Sequence, residues 1–201
     1  MSSRKEEIVE AASKRFSHFG FAKTTMNEIA DDLRITKANL YYYYADKAAL
    51  FRDVVRSIMD EIQLLDLELI NGYNNNFIDI IYEWLELRSK YIKKHYVIYF
   101  NDNMECFRDP LMKELIDEYH TKDFENLAKL MVMAKESGEL QIGDAREDAE
   151  ILSEIIKGIG VLHTMTEIFS GMMNKDKFDY ALESQKKAIK FIFQGKIITH
   201  K

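Results

Sequence analysis

Residues 25–47, TMNEIADDLRITKANLYYYYADK, decide the fold of this chain. Thr25 and Glu28 have the spacing of a capping box, in which the threonine side chain accepts from a helix amide and the glutamate binds the threonine amide. A helix therefore starts at about Met26. Its apolar residues recur at helical spacing and form one stripe, Met26, Ile29, Ala30 and Leu33.

A turn and a second short helix follow this first helix. The turn falls at Arg34 and Ile35, and Thr36 is a favourable N-cap for a helix of about two turns. If Leu40 lies at the centre of the buried face, the outward face consists of small, amide and phenolic side chains: Ala38, Asn39, Tyr41 and Tyr42. Such a face suits a DNA major groove, because alanine can touch a thymine methyl and asparagine can bind adenine. Geometry alone leaves an ordinary helical hairpin equally open.

The same stretch resembles the N-terminal domain of TetR-family transcriptional regulators. The resemblance covers about the first quarter of the chain and is carried by Ile8, Ala12, Phe16, Gly20, Phe21, Thr24, Ile29, Ala30, Ile35, Lys37, Leu40, Tyr41, Tyr44, Lys47 and Leu50. It implies an all-α protein of about nine helices. A three-helix helix-turn-helix DNA-binding domain, residues 1–47, would precede a larger antiparallel helical domain for ligand binding and dimerisation, residues 48–201.

The resemblance also implies which side chains touch DNA. The matching positions are Thr25, Thr36, Lys37, Tyr41, Tyr42 and Lys47, and the outward face adds Ala38 and Asn39. Arg34 departs from the family, which usually has glycine in this turn, and a positive φ would cost a non-glycine residue about 1 kcal/mol. Ala38 and Asn39 replace a commoner Gly-Thr or Gly-Ala pair, which we expect to alter base preference and not the fold.

The net charge of −6 is unusual for a DNA-binding protein, so its distribution matters. Through residue 47 the chain has 8 basic and 7 acidic residues, whereas the remainder has 20 and 27. Phosphate binding would therefore depend on a locally basic face. The expected contributors are Arg4, Lys5, Lys23, Lys37 and Lys47.

Helical periodicity continues through the rest of the chain, which contains a single proline. Helix one is predicted from about Arg4 to His18, with Ile8, Ala12, Phe16 and Phe19 buried and Gly20 as its stop. A long helix should run from Lys47 to the region of Leu65, before an Asn-rich interruption at residues 71–76. Further helices are predicted at about 77–94, 96–107, 110–137, 144–169 and 177–194. Whether the third of these breaks near residues 121–123 is left open by the pattern.

The last two helices, at about 145–170 and 177–194, resemble the dimer interface of the family. The resemblance implies a homodimer with a four-helix bundle between its subunits. A broad apolar stripe supports it independently: Ile151, Ile155, Ile156, Ile159, Leu162 and Ile168. Gly158 and Gly160 would allow close helix approach. A two-fold dimer suits a palindromic operator, because two recognition helices about 34 Å apart reach successive major grooves.

Catalytic and metal-binding patterns are missing from the sequence. The five histidines have no ligand spacing, and no nucleophile or phosphate-loop motif occurs. We therefore expect no enzyme activity, cofactor or metal. The lone Cys106 agrees with a reducing compartment, and no apolar run approaches the ~20 residues of a membrane span, so a cytoplasmic location without a membrane partner is expected.

A small apolar or aromatic ligand is the remaining candidate partner besides DNA and a second copy. Aromatic and methionine side chains of the middle helices could line an adaptable cavity. The candidate ligand-binding residues are Trp84, Tyr96, Tyr99, Phe100, Met104, Phe107, Met131 and His163. The alternative is that most of them are ordinary core residues, and that His163 is a satisfied buried histidine.

These patterns together give one main hypothesis and two alternatives. In the main hypothesis a homodimer binds a palindromic operator and represses transcription, and the ligand releases it by shifting the long helix that follows Lys47. One alternative is a dimeric helical interaction protein that does not bind DNA. The other is a regulator controlled by a protein partner without a small-molecule ligand.

Overall fold

The structure, a computed structural model, describes residues 3–100, 108–170 and 176–198, and it describes side chains in these ranges except at 99–100 and 164–170. The helices in these ranges are α1 Arg4–Lys23, α2 Met26–Asp32, α3 Lys37–Tyr43, α4 Lys47–Asn71, α5 Phe77–Lys94, α6 Tyr96–Phe100, α7 Pro110–Glu136, α8 Ala145–Ser170 and α9 Asp176–Ile192. Within the described ranges, the pairing outside helices is one isolated antiparallel bridge between Leu140 and Ile197. The all-α prediction is confirmed.

The first of two compact units comprises Met1–Glu61 and His95–Glu118. Its core lies where α1 packs on α2 and α6, and where aromatic rings from α1 and α4 meet. The Phe51 ring is edge-on to Phe16, with ring centroids 5.1 Å apart, and lies 5.0 Å from the ring of Phe21. These contacts position the short helices α2 and α3, which are too short to be stable alone.

The second unit comprises Ile62–Lys94 and Tyr119–Lys201, so α4 and α7 contribute residues to both units. In this unit α9 packs against α5 and α8. The largest fully buried side chains of its core are Phe77, Ile81, Met131 and Leu140. The predicted division at residue 47 concerns function and stays a prediction.

The end of α1 differs from the prediction at Phe19. Gly20 has φ 81°, a backbone conformation that favours glycine, and it ends the regular helix there. The change of direction packs the half-buried Phe21 against Phe51, while Phe19 is 46% exposed and lies edge-on to the ring of His18. The prediction that Phe19 is buried is wrong, because helical periodicity no longer applies once the chain turns at Gly20.

Two long helices settle points that the sequence left open or placed differently. α4 continues to Asn71, beyond the predicted region of Leu65, and α7 runs from Pro110 to Glu136 without interruption. Helix α7 therefore does not break near residues 121–123. The aromatic helix α6 is described from Tyr96 to Phe100, and its predicted continuation to residue 107 lies outside the described residues.

The start of α5 is capped by a residue far away in the sequence. The buried carboxylate of Glu139 accepts a hydrogen bond from the Phe77 amide at 2.9 Å and one from the Tyr73 hydroxyl at 2.8 Å. Glu139 follows the glycine turn at the end of α7, where Gly138 has φ 81°. This carboxylate therefore satisfies an amide that the first turn of α5 leaves without a helical partner.

Candidate nucleic-acid interface

The helix-turn-helix begins with the predicted capping box. The amide of Glu28 donates to the Thr25 hydroxyl at 3.3 Å, and the amide of Thr25 donates to the Glu28 carboxylate at 2.8 Å. Both halves of the reciprocal cap are therefore present, and α2 starts at Met26 as predicted.

The turn after α2 places Arg34 in a left-handed conformation with φ 54°. The Arg34 amide donates to the carbonyl of Asp31, and the Ile35 amide donates to the carbonyl of Ala30, each at 3.0 Å. These two bonds form a Schellman motif, in which the left-handed position is usually glycine. The positive φ that the sequence suggested is confirmed, and the turn keeps its helix-ending hydrogen bonds despite the arginine side chain.

Helix α3 presents the predicted outward face. Thr36 caps it by accepting from the Asn39 amide at 3.2 Å, and Leu40 is completely buried beneath it. Tyr42 is 85% exposed and Tyr41 is 41% exposed. The other exposed residues of this face are Lys37, Ala38 and Asn39. The orientation deduced from helical periodicity is therefore confirmed, and five side chains of four residue types share one accessible surface.

Tyr44 anchors the end of α3 to two other helices. Its buried hydroxyl donates to the Asp53 carboxylate of α4 at 3.0 Å, and burial raises the pKa of Tyr44. The Lys5 ammonium of α1 pairs with the same carboxylate at 2.8 Å and lies over the tyrosine ring. This junction was not predicted from the sequence. The only available signal was that a buried tyrosine hydroxyl needs an acceptor.

Lys47 has a structural role that the sequence analysis did not foresee. Its ammonium donates to the carbonyls of Phe21 and Thr24, each at 2.8 Å, and lies 4.2 Å from the centre of the Phe21 ring. The lysine thus ties the end of α1 to the start of α4. A phosphate contact by Lys47 stays a prediction, and it would have to use the remaining hydrogen-bonding capacity of the ammonium.

Three of the five residues expected to form a basic face have partners within the chain. Arg4 pairs with Glu7, Lys5 pairs with Asp53, and Lys47 binds carbonyls. No ion pair is described for Lys23 or Lys37, both of which are exposed. Among the described residues, these two lysines are therefore the expected contributors best able to meet phosphate.

The predicted ligand-binding residues do not form one described site. Trp84 and Met131 belong to the core cluster of the second unit, whereas Tyr96 lies in the first unit. His163 forms a hydrogen bond of 3.1 Å with the hydroxyl of Ser184 across α8 and α9. The remaining candidates lie outside the described side chains: Tyr99, Phe100, Met104 and Phe107. A cavity formed by all eight residues stays a prediction.

Two concave features are described within the second unit. A half-enclosed, mainly apolar cleft of about 240 Å³ lies between α7, α8 and α9 and is lined in part by Met131, Leu152 and Phe193. A more open groove of about 610 Å³ runs between α4 and α5. Within the described residues, no group of three metal-ligating side chains occurs, and no helix is long and apolar enough to cross a membrane.

A buried charged cluster in the second unit was also missed. The Arg88 guanidinium donates two hydrogen bonds to Asp123, at 2.7 and 2.9 Å, and a third to Asp66. Its central carbon lies 4.3 Å from the centre of the Trp84 ring. Burial raises the pKa of Asp66, while the charge of Arg88 opposes this rise. The partners lie 22 and 35 residues apart in the sequence, so no local pattern could reveal them.

Comparison with known sequences places residues 8–54 in the bacterial regulatory proteins of the tetR family. A 60-residue stretch, 30% of this chain, is 42% identical to the HTH-type transcriptional regulator RutR of Escherichia coli strain K12 and covers 28% of that protein. A 94-residue stretch, 44% of this chain, is 32% identical to IcaR of Staphylococcus epidermidis, the biofilm operon icaADBC HTH-type negative transcriptional regulator, and covers 50% of it. The matched part of the chain thus spans half or less of these curated relatives.

Similarity of fold extends over the whole chain. A transcriptional regulator from Cytophaga hutchinsonii ATCC 33406 has a TM-score of 0.87, with 98% of this chain and 100% of that chain covered at 24% sequence identity. This chain has the features of a helix-turn-helix DNA-binding motif, namely the capped α2, the Schellman turn and the exposed face of α3. Residues 8–54 thus match the tetR family of bacterial regulatory proteins, and the fold of the chain is similar to that of a solved transcriptional regulator. The curated relatives RutR and IcaR are both HTH-type transcriptional regulators.

Proposed function

We propose that the protein is a sequence-specific DNA-binding transcriptional regulator that binds a palindromic operator as a homodimer. The observation that carries the proposal is the exposed face of α3, with Ala38, Asn39 and Tyr42 accessible above the fully buried Leu40. A helix of this kind can enter a major groove and present an amide, a methyl and a phenol to base edges and phosphates.

Phosphate contacts would be supplied by residues around α3. Thr25 and Thr36 lie at helix starts, where amides and hydroxyls commonly bind phosphate. Lys23 and Lys37 add positive charge for which no acidic partner is described. Because the whole chain carries a net charge of −6, we expect weak non-specific binding and a strong dependence on salt.

A second copy of the chain would cover an apolar strip on α8. Ile151 and Leu162 are 50% and 70% exposed. Ile155 and Gly158 lie between them at spacings of four, three and four residues, which is the repeat of a helix-packing seam. On α9 the exposed large side chains are Tyr180 and Phe191. Exposed apolar surface of this extent on two packed helices favours an interface.

A repressor released by a small molecule is the form of regulation that we propose. The relative IcaR is a negative transcriptional regulator, and we propose that this protein also represses transcription. An apolar or aromatic ligand could enter the second unit, and α4 has residues in both units. A ligand that prefers one conformation of α4 would change operator affinity. The expected site of action is the cytoplasm.

Selection of tight binders from a pool of random duplexes at moderate salt tests the proposal. We expect an enriched palindrome whose half-sites are about one helical turn apart. Ala38→Glu, which puts a carboxylate on the exposed face of α3, should abolish enrichment. Asn74→Glu, the matched control in the exposed loop after α4, should select the same palindrome as the unmodified chain.

The alternative of a dimeric interaction protein has its own support. Three expected phosphate-binding residues have partners within the chain, and the chain is acidic. If no sequence is enriched and no binding is found even at low salt, this alternative replaces the proposal.

A further inference from the structure

The Arg88 cluster has more negative than positive charge. One guanidinium from α5 faces two carboxylates, Asp66 from α4 and Asp123 from α7. The other polar members are neutral, since Gln63 donates to Asp123 at 2.5 Å and Asn126 donates to Gln63 at 2.9 Å. The described contacts of the cluster therefore leave one negative charge unbalanced.

The unbalanced charge is at Asp66. Its side chain is completely buried and is hydrogen-bonded to the side chains of Arg88 and Trp84, and no partner is described for its Oδ1 atom. The Nε atom of Arg88 is likewise buried without a partner. Buried polar atoms in folded proteins are almost always satisfied by protein, water or a bound group. A buried carboxylate with one oxygen open and an aromatic ring beside it has the chemistry that attracts a cation.

We infer that this cluster binds an organic cation, with an ammonium group at Asp66 and an aromatic or apolar body beside Trp84. The inference rests on the proposed function in one respect, because it names the chemical class of the small-molecule ligand. The side chains of Arg88 and Asp123 are 22% and 15% exposed, so the cluster is reached from solvent at these two residues, and a ligand would have to part them to meet the buried Asp66. The Arg88 guanidinium, itself a cation, already lies over the Trp84 ring, 4.3 Å from the ring centre. An incoming ammonium would share the two carboxylates with it.

A bare metal ion fits the cluster less well than an organic cation. The described residues contain no group of three metal-ligating side chains, and the guanidinium would repel a compact divalent charge. An ammonium group spreads its charge, donates hydrogen bonds to carboxylates and is attracted to the face of tryptophan. Since Asp66 lies on α4, occupation of the site would act directly on a helix that has residues in both units.

Trp84 fluorescence gives a direct test, because this is the single tryptophan of the chain. The unmodified protein, without DNA, is titrated at constant pH and ionic strength with benzylammonium chloride, benzyl alcohol and sodium benzoate. We expect a saturable change with benzylammonium alone. Asp66→Asn should weaken this binding by about tenfold or more, because it removes the charge and keeps the shape. Glu68→Gln, the control on the exposed side of the same helix, should leave it unchanged.

Four results would overturn the inference. These are no response to benzylammonium, an equal response to benzyl alcohol, an undiminished response in Asp66→Asn, and a fluorescence change that follows pH without any effect of the cation. The last result would identify a proton as the missing positive charge. The comparison of the three probes on the unmodified protein decides the matter even if Asp66→Asn does not fold. Operator selection uses no ligand, so failure of DNA binding and failure of cation binding are distinguishable.

Discussion

At the scale of single residues, Arg34 adopts a conformation that glycine tolerates better. Its φ of 54° lies in the left-handed region, and its side chain is exposed. Replacing Arg34 by glycine would relieve strain of roughly 1–2 kcal/mol, but glycine loses more conformational entropy on folding than arginine does. We therefore expect Arg34→Gly to stabilise the fold by about 0.5–1 kcal/mol. Urea unfolding with an unchanged m-value measures this gain. Arg34→Ala keeps the Cβ atom and should not stabilise, so an equal gain from alanine would mean that charge and not backbone strain is responsible.

Asn39 is the residue on which base preference should depend. Its side chain is exposed on α3, while its backbone amide is already bound to Thr36. Asn39→Ala should change discrimination at one base position of the selected operator by ~1–3 kcal/mol, since a bidentate amide contact to adenine would be lost. Competition binding with single-base operator variants measures the change. Asn74→Ala, in the exposed loop after α4, should have no effect, and an unchanged preference in Asn39→Ala would contradict the proposed orientation of α3 in the groove.

At the scale of secondary-structure elements, α5 depends on a cap from outside its own segment. Glu139 is 5% exposed and accepts hydrogen bonds from the Phe77 amide and the Tyr73 hydroxyl. Glu139→Ala would leave the buried Phe77 amide without its cap and would remove one partner of the Tyr73 hydroxyl, which keeps its hydrogen bond with Ser137. The substitution should lower the free energy of unfolding by about 1–3 kcal/mol. Glu139→Gln keeps one acceptor oxygen and should cost less. Glu136→Ala, an exposed change three residues earlier, is the control for urea unfolding, and equal losses in both alanine variants would contradict the capping role.

The N-termini of the helices show which caps can be predicted from nearby residues in the sequence. The caps at Thr25 and Thr36 were predictable because each side chain binds an amide three residues ahead. Asp46 does the same for α4, where it accepts from the Ala49 amide at 2.7 Å. The Glu139 cap was not predictable, since it joins residues 62 apart in the sequence.

At the scale of the whole molecule, dimerisation through α8 and α9 can be tested at Gly158. A Cβ atom at this position would meet nothing within 4 Å in its own chain, so the space beside it is available to a partner helix. Gly158→Leu should weaken dimerisation by at least about tenfold, because a bulky side chain prevents close helix approach, without destabilising the monomer. Sedimentation equilibrium over a range of concentrations measures this effect.

Gly143→Leu is the matched control for this substitution. Gly143 lies in the loop before α8, and a Cβ atom there also meets nothing within 4 Å. This variant should dimerise like the unmodified chain. If Gly158→Leu dimerises equally well, the seam on α8 does not form the interface, and an unmodified chain that is monomeric at all concentrations would contradict the homodimer itself.

The sequence by itself determined the all-α fold, most helix limits, the position of the turn and the face that α3 exposes. These features depend on interactions between residues three to five apart, such as caps, periodic burial of Leu40 and the bonds of the Arg34 turn. A resemblance carried by the first quarter of the chain indicated its similarity to the tetR family, which the family model matches over residues 8–54.

Only the tertiary structure decided which charged and polar side chains meet. Lys47 binds carbonyls at the end of α1, Tyr44 binds Asp53, and Arg88 joins two aspartates of other helices. Helical periodicity tells which side of a helix is buried, but it does not tell which neighbour packs there or how far along the axis. For this reason the outward face of α3 was visible in the sequence, whereas the anchors that hold it and the cluster around Asp66 emerged only when the helices were packed together.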